Sequence, residues 1–345
     1  MNWRYVRREL RHPLAWTAKR RRPRALVLMY HGVGDGGVDP WELFISEDRF
    51  AEHLDVIRSF GQPIDLADLT DGLETGVVAN RSVAVTFDDG YANNLHVAAP
   101  LLRSYGVPAT VFAVAETIGA EREFWWDELA KLILTPGDLP DPLSVDVAGE
   151  THSIELGATR TYDDASYRAD RVAREGDARS ARVELYHRLW QLLVEIDPDH
   201  RSETLVRLAA TTGQTLQPRE THRVMTRAEL LDFDRGEGTS VGAHTMTHPI
   251  LPKLPVAAQR REIEGSFADL STALQRPVDT FSYPFGAHDA DTMAVAAASP
   301  ARVSVTVEPR TVCVRSHPHA VPRFDVRDWP ADVLARRLER WWRFL

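Results

Sequence analysis

Two adjacent carboxylates, Asp88 and Asp89, follow the apolar run Val83-Ala84-Val85 in the stretch Thr86-Phe87-Asp88-Asp89-Gly90-Tyr91. Like charges this close at a buried strand end resist joint ionisation unless something positive sits beside them, and a metal ion is the simplest remedy. The strong partner elsewhere is His244-Thr245-Met246-Thr247-His248-Pro249, whose histidines at i and i+4 can present two imidazoles to one cation. The two stretches read as one site.

Positioning them requires strands that end together. Ala25 to Tyr30 is a continuous apolar run ending at His31-Gly32, as expected of a buried parallel strand, and Val83 to Phe87 and Ala109 to Val114 are the next two. Between the first two, Ser46 is the expected N-cap of a helix striped by Phe50, Leu54 and Ile57 and stopped at Gly61. Thr226 to Glu229 spells a capping box. The strand Thr239 to Ala243 leads into His244. A helix over roughly 256 to 275, a strand from Val278 to Tyr283, a helix from Asp289 to Ala298, a strand from Arg302 to Val307 and an amphipathic helix from Val333 to Trp342 complete the pattern. Strands alternating with helices indicate βα units around a parallel sheet with its site at the strand ends.

The chain of 345 residues, 43% hydrophobic and 26% charged, is long enough for a large core, and its single cysteine, Cys313, excludes an internal disulfide. No secretion signal and no membrane span is visible, so a cytoplasmic location is expected. Residues 1 to 24 hold nine Lys or Arg against one Glu, which leaves a net charge of −17 on the rest. That acidic body argues against nucleic acid as a partner. The basic, aromatic arm would suit peripheral contact with an anionic membrane or a solvated tail. After Phe124 the pattern changes: Ser144 to Val147 and Ser153 to Leu156 suggest a hairpin across Gly149, and residues 178 to 196 and about 203 to 213 read as helices. The expected organisation is a basic arm over 1–24, a barrel over 25–123 and 226–330, a mainly helical insertion over 124–225 and a terminal helix over 331–345.

Three motifs in order resemble the NodB-homology polysaccharide deacetylases, carbohydrate esterase family 4. They are Thr86 to Gly90, Val241 to His248, and Phe281-Ser282-Tyr283-Pro284-Phe285-Gly286, with support from Leu28 to Val33 and Pro322 to Val326. The resemblance covers 25–123 and 226–330. It implies an α/β fold, a distorted (β/α)7-type NodB barrel, and hydrolysis of N-acetyl groups on an amino-sugar-containing carbohydrate. That substrate could be a polysaccharide, an oligosaccharide or a lipid- or nucleotide-linked sugar. The family's metal triad carries over to Asp89, His244 and His248, with one divalent ion, Zn2+ by default and Co2+, Ni2+, Mn2+ or Fe2+ compatible. Asp88 matches the general base, and the backbone N–H of Phe285 matches the oxyanion donor. The family's late Leu-x-His pattern is missing, so His317 is the first candidate acid, with His319, His31 and His288 beside it. Ser282 stands where many relatives carry an arginine; Arg323 is the expected substitute for that charge, with Asp325 helping to hold it or a histidine. Tyr91, Tyr283, Trp125 and His31 are the candidates for substrate contact, with Trp126, Phe285 and Trp329 as further flat faces for a sugar ring. A de-O-acetylase or other amidohydrolase, and a catalytically silent sugar-binding or assembly module, are the alternatives.

Overall fold

The computed structural model of the chain describes residues 24–344 other than Glu175. Most of the basic arm expected over 1–24 therefore lies outside the described residues. Among the described residues no helix is long and apolar enough to cross a membrane.

Two compact units emerge: one comprises the chain up to Val33, Ile45–Ile118 and Met225–Leu345, and the other Gly34–Phe44 and Gly119–Val224. The first is built on seven parallel strands: β1 Ala25–Tyr30, β2 Ser82–Asp89, β3 Ala109–Ala113, β4 Thr239–Ala243, β5 Thr280–Ser282, β6 Val303–Val305 and β7 Phe324–Asp325. Their order across the sheet is β6-β5-β4-β3-β2-β1-β7, and the two-residue strand Gln62–Pro63 adds to the start of β2. The expected strands over 278–283 and 302–307 are shorter than their apolar runs, because only their central residues enter the ladder.

The sheet curls until its edges nearly meet. Val321 bridges Val305 at one edge, and three residues later Phe324 pairs with Leu28 of β1 at the other. Strand alternation then decides what each face carries. On β2, Val83, Val85 and Phe87 pack outward with Phe50, Leu54, Ile57 and Leu102 from the covering helices. Ala84 turns the other way and clusters with Ala25, Val27, Phe112, Val305 and Val321 inside the curl. Thr86 and Asp88 share the register of Ala84, so the strand that looks wholly apolar delivers a hydroxyl and a carboxylate to the interior.

The helices fall where the apolar stripes place them, with one correction at a cap. Ser46 precedes the helix Glu47–Phe60 but does not cap it through its side chain; its Oγ donates instead to Asp328 Oδ1 at 2.9 Å. Gly61 ends that helix in extended backbone, and glycine is required there because a Cβ would lie 2.5 Å from Val83 Cγ2 and 2.7 Å from the Arg81 carbonyl. The capping box at Thr226 forms with both of its hydrogen bonds.

The second unit contains a hairpin, Leu143–Val147 with Glu150–Ile154, turning at Ala148 and Gly149, both of positive φ. Its second strand starts three residues before the expected Ser153, since a two-residue turn sets the register. The helix Ala181–Leu193 lies within its expected range, whereas Pro198–Thr212 begins earlier than expected because Asp197 caps it and Pro198 occupies its first turn. Residues 34–44, given to the barrel by the sequence reading, fold with this unit.

His222 is 4% exposed in this unit, and burial, reinforced by the Arg219 charge, pushes its pKa down to about 3. The folded state thus favours neutral imidazole. The resulting stability is complete above the ordinary histidine pKa near 6.5 and is lost as pH falls from there towards 3. Relative to His222→Gln, the wild type is expected to lose ~1 kcal/mol per pH unit across that window. Urea unfolding at pH 7, 6 and 5 measures this, and parallel pH profiles for the two proteins would contradict it.

Candidate active site

The site forms where β2, β4 and β5 end. Inside the curl, Arg323 is fully buried and its guanidinium forks onto Asp88, with Nη1 2.7 Å from Oδ1 and Nη2 2.6 Å from Oδ2. Its remaining donors go to the Thr306 carbonyl at 3.0 Å, Thr86 Oγ1 at 3.1 Å and Ser282 Oγ at 2.8 Å. The Ser282 hydroxyl donates in turn to Asp88 Oδ2 at 3.3 Å. A serine stands where the family resemblance expects an arginine, and it serves as a bridge between Arg323, just ahead of β7, and the carboxylate. Arg323 points inward because Phe324, next along the chain, points outward to stack on Trp341 at 4.0 Å. Burial pushes the Asp88 carboxyl up, but the Arg323 charge and hydrogen bonds, with His244 and His31, outweigh it and hold Asp88 well below the usual carboxylate range.

Strict alternation would send Asp89 outward with Phe87. Its φ of 77°, followed by Gly90 at 82°, breaks the extended run and lets the side chain meet the histidines instead. Asp89 Oδ1 lies 3.7 Å from His244 Nε2 and 3.5 Å from His248 Nε2. His244 Nδ1–H donates to the Ser282 carbonyl at 2.7 Å, which fixes the tautomer so that Nε2 carries the lone pair facing Asp89. Burial pushes the His244 pKa down to about 4, so the imidazole is neutral near pH 7, as a ligand must be. His244 and His248 stand on a loop rather than a helix, with left-handed φ of 67° at Thr245 and 60° at His248.

Three buried groups, one carboxylate oxygen and two imidazole nitrogens, thus lie within 4.8 Å of one another. Mixed nitrogen and oxygen donors with a preset tautomer fit a divalent cation, and a three-ligand set is what an open, hydrolytic site uses.

Residues 75–138 and 220–304 match the family model described as polysaccharide deacetylase. The matched residues are those of a polysaccharide deacetylase domain. Over 120 residues it is 26% identical to YxkH of Bacillus subtilis (strain 168), named as a polysaccharide deacetylase; the match spans 34% of this chain and 42% of that protein. In fold it is similar to the polysaccharide deacetylase BC0361 of Bacillus cereus, at 16% identity and a TM-score of 0.56, covering 92% of this chain and 69% of that one. The Streptococcus pyogenes deacetylase PplD, solved in complex with acetate, is likewise 16% identical, with a TM-score of 0.55 and coverage of 92% and 99%. The α/β fold, a curled parallel sheet with helices, is that of the NodB-like deacetylases.

Around Asp89, His244 and His248 the other sequence candidates divide. Phe285 adopts φ 58°, and its ring sits edge-on to His248 at 4.6 Å. His31, half-buried, follows the end of β1 beside Asp88; burial lowers its pKa against the opposing charges of Asp88 and Asp325. His317 is exposed and accepts the His319 backbone N–H at 3.1 Å within its own turn. Asp325 pairs with Arg327 at 3.2 Å. Tyr91 and Tyr283 are completely buried, so neither offers the open face expected for stacking on a sugar; Tyr283 instead donates to the His319 carbonyl at 3.0 Å and stacks on His288. Trp125 belongs to the second unit, where Trp190 and the Arg201 guanidinium occupy its faces. Glu262, absent from the sequence candidates, hydrogen-bonds the histidine loop and is taken up below.

Proposed function

We propose that the domain removes N-acetyl groups from an amino-sugar-containing carbohydrate, with water as co-substrate and a free amine and acetate as products. The reading is carried by one observation: a buried carboxylate held ionised by Arg323 lies beside a triad that suits a divalent cation. Asp89, His244 and His248 would hold that cation, with zinc as the default among the divalent ions these donors accept. When bound, it supplies Lewis acidity towards water and the acetyl carbonyl.

Asp88 accepts the proton of the attacking water, and the Arg323 fork fixes which oxygen lobe faces outward. The Phe285 N–H donates to the oxygen that gains charge as the carbonyl becomes tetrahedral. A proton must then reach the leaving nitrogen as the C–N bond breaks. Of the candidate acids, we assign this step to His31, which follows the end of β1 and whose charge acts on both Asp88 and His244.

Acetate release from matched N-acetyl and O-acetyl sugars by the zinc-loaded chain tests the reading. N-acetyl substrates are expected to be preferred, and release from O-acetyl sugars alone would replace the amidase assignment. In the same assay His31→Gln is expected to lower kcat about 10²-fold, while His317→Gln stays near wild type. The reverse order would move the acid role to His317.

A further inference from the structure

The two histidines reach Asp89 only because the loop between them holds an uncommon shape, left-handed at Thr245 and again at His248. Non-glycine residues keep such conformations where the surroundings over-determine them. Part of that support is local: Thr245 Oγ1 accepts the His248 N–H at 3.0 Å. Part comes from the turn after β3, where the Ala115 and Glu116 N–H groups donate to the Thr245 and Met246 carbonyls at 3.0 and 3.1 Å. A third part comes from one side chain of the helix Val256–Leu274. Glu262 Oε2 accepts the N–H groups of both Met246 and Thr247 at 3.0 Å, and its Oε1 accepts the Thr247 hydroxyl at 2.8 Å. Two successive backbone N–H groups converging on one anionic oxygen form a nest, a geometry that a charged acceptor stabilises well beyond a neutral one. One turn further along the same helix Gly265 leaves room for Met246, whose Cγ and Sδ would lie 3.2 Å from any Cβ there.

We propose that Glu262 is a positioning residue for the metal centre, its carboxylate clamping the His244–His248 loop so that both imidazoles face Asp89 before a cation arrives. The inference rests on reading the barrel as a metal-dependent hydrolase. Glu262 is not part of the ligand triad, so it acts through the loop backbone and leaves the charge of the ligand set unchanged. Its loss therefore weakens the hold on the ion without removing any donor.

The test measures zinc dissociation constants on the metal-stripped full chain, by competition with a chromogenic chelator, for wild type, Glu262→Ala, Glu262→Gln and Thr247→Val. Glu262→Ala is expected to bind zinc about 10- to 100-fold more weakly, the usual effect of removing a partner outside the ligand set. Glu262→Gln, which keeps an acceptor of the same shape but loses its charge, should recover only a minor part of that loss. Thr247→Val, which deletes one of the three bonds and is the fallback if the alanine variant does not fold, should fall a few-fold. With zinc in excess, kcat should return towards wild type in every variant, since all donors remain. Wild-type zinc affinity in Glu262→Ala and Thr247→Val overturns the positioning role while leaving the metal site standing. A wild-type chain that takes up no zinc overturns the metal-site reading and this proposal together.

Discussion

Arg323→Ala is expected to cost the barrel about 3–5 kcal/mol and to bring acetate release to background. Arg323 has no exposed surface and distributes its donors over Asp88, Ser282, Thr86 and the Thr306 carbonyl. Deleting it strands the Asp88 carboxylate, 4% exposed, with no countercharge. A carboxylate in that position either takes up a proton, and can no longer act as a base, or remains charged at the expense of the fold. Arg323→Lys keeps the charge but not the fork, so it should restore part of the stability and little of the rate. The complementary change, Asp88→Asn, preserves shape and leaves zinc affinity near wild type, while kcat falls about 10²- to 10⁴-fold. Urea midpoints and single-turnover acetate release separate the two effects. A stable, active Arg323→Ala would show that Asp88 does not depend on the fork.

The second large effect concerns the ligands. His244→Ala removes one of three donors and also the bond to the Ser282 carbonyl, so zinc content should drop to trace levels and the rate by about a thousandfold or more, equivalent to about 4 kcal/mol of barrier. Dialysis of the wild type against a strong chelator should reproduce that loss. The two differ in reversal: added zinc restores the stripped wild type and leaves His244→Ala inactive. Activity that survives chelation to a metal content near zero would discard the hydrolytic centre as drawn.

Much of this site is written in local patterns. The apolar run before Asp88, the i and i+4 histidines and the Tyr283-Pro284-Phe285-Gly286 turn each mark a strand end within a few residues of sequence, and parallel strands bring such ends together. What the sequence does not display is the pairing of side chains across the sheet. That Ser282 bridges Arg323 and Asp88 depends on the register of β5 and β7 against β2, which no short window encodes. The service of Glu262 is hidden for a related reason, since an acid on a helix 14 residues beyond His248 looks like an ordinary solvated face. Signals did exist for the hairpin register, in Ala148-Gly149, and for the early helix start, in Asp197-Pro198. The burial of Tyr91 and Tyr283 reflects how aromatic rings near a strand end are drawn under neighbouring turns, where a single sequence cannot distinguish floor from core.

The segment that touches both edges of the sheet also carries the arginine that charges the base. Val321 pairs with β6, Phe324 with β1, and Arg323 lies between them. Asp88, Asp89, His244 and His248 all precede this segment in the chain, and Asp88 can meet the Arg323 guanidinium only where the segment has joined the sheet. Closure therefore works as an interlock: a chain arrested before that step could gather its ligands but would hold Asp88 without its partner. Hydrolytic competence is thereby tied to the completion of the fold.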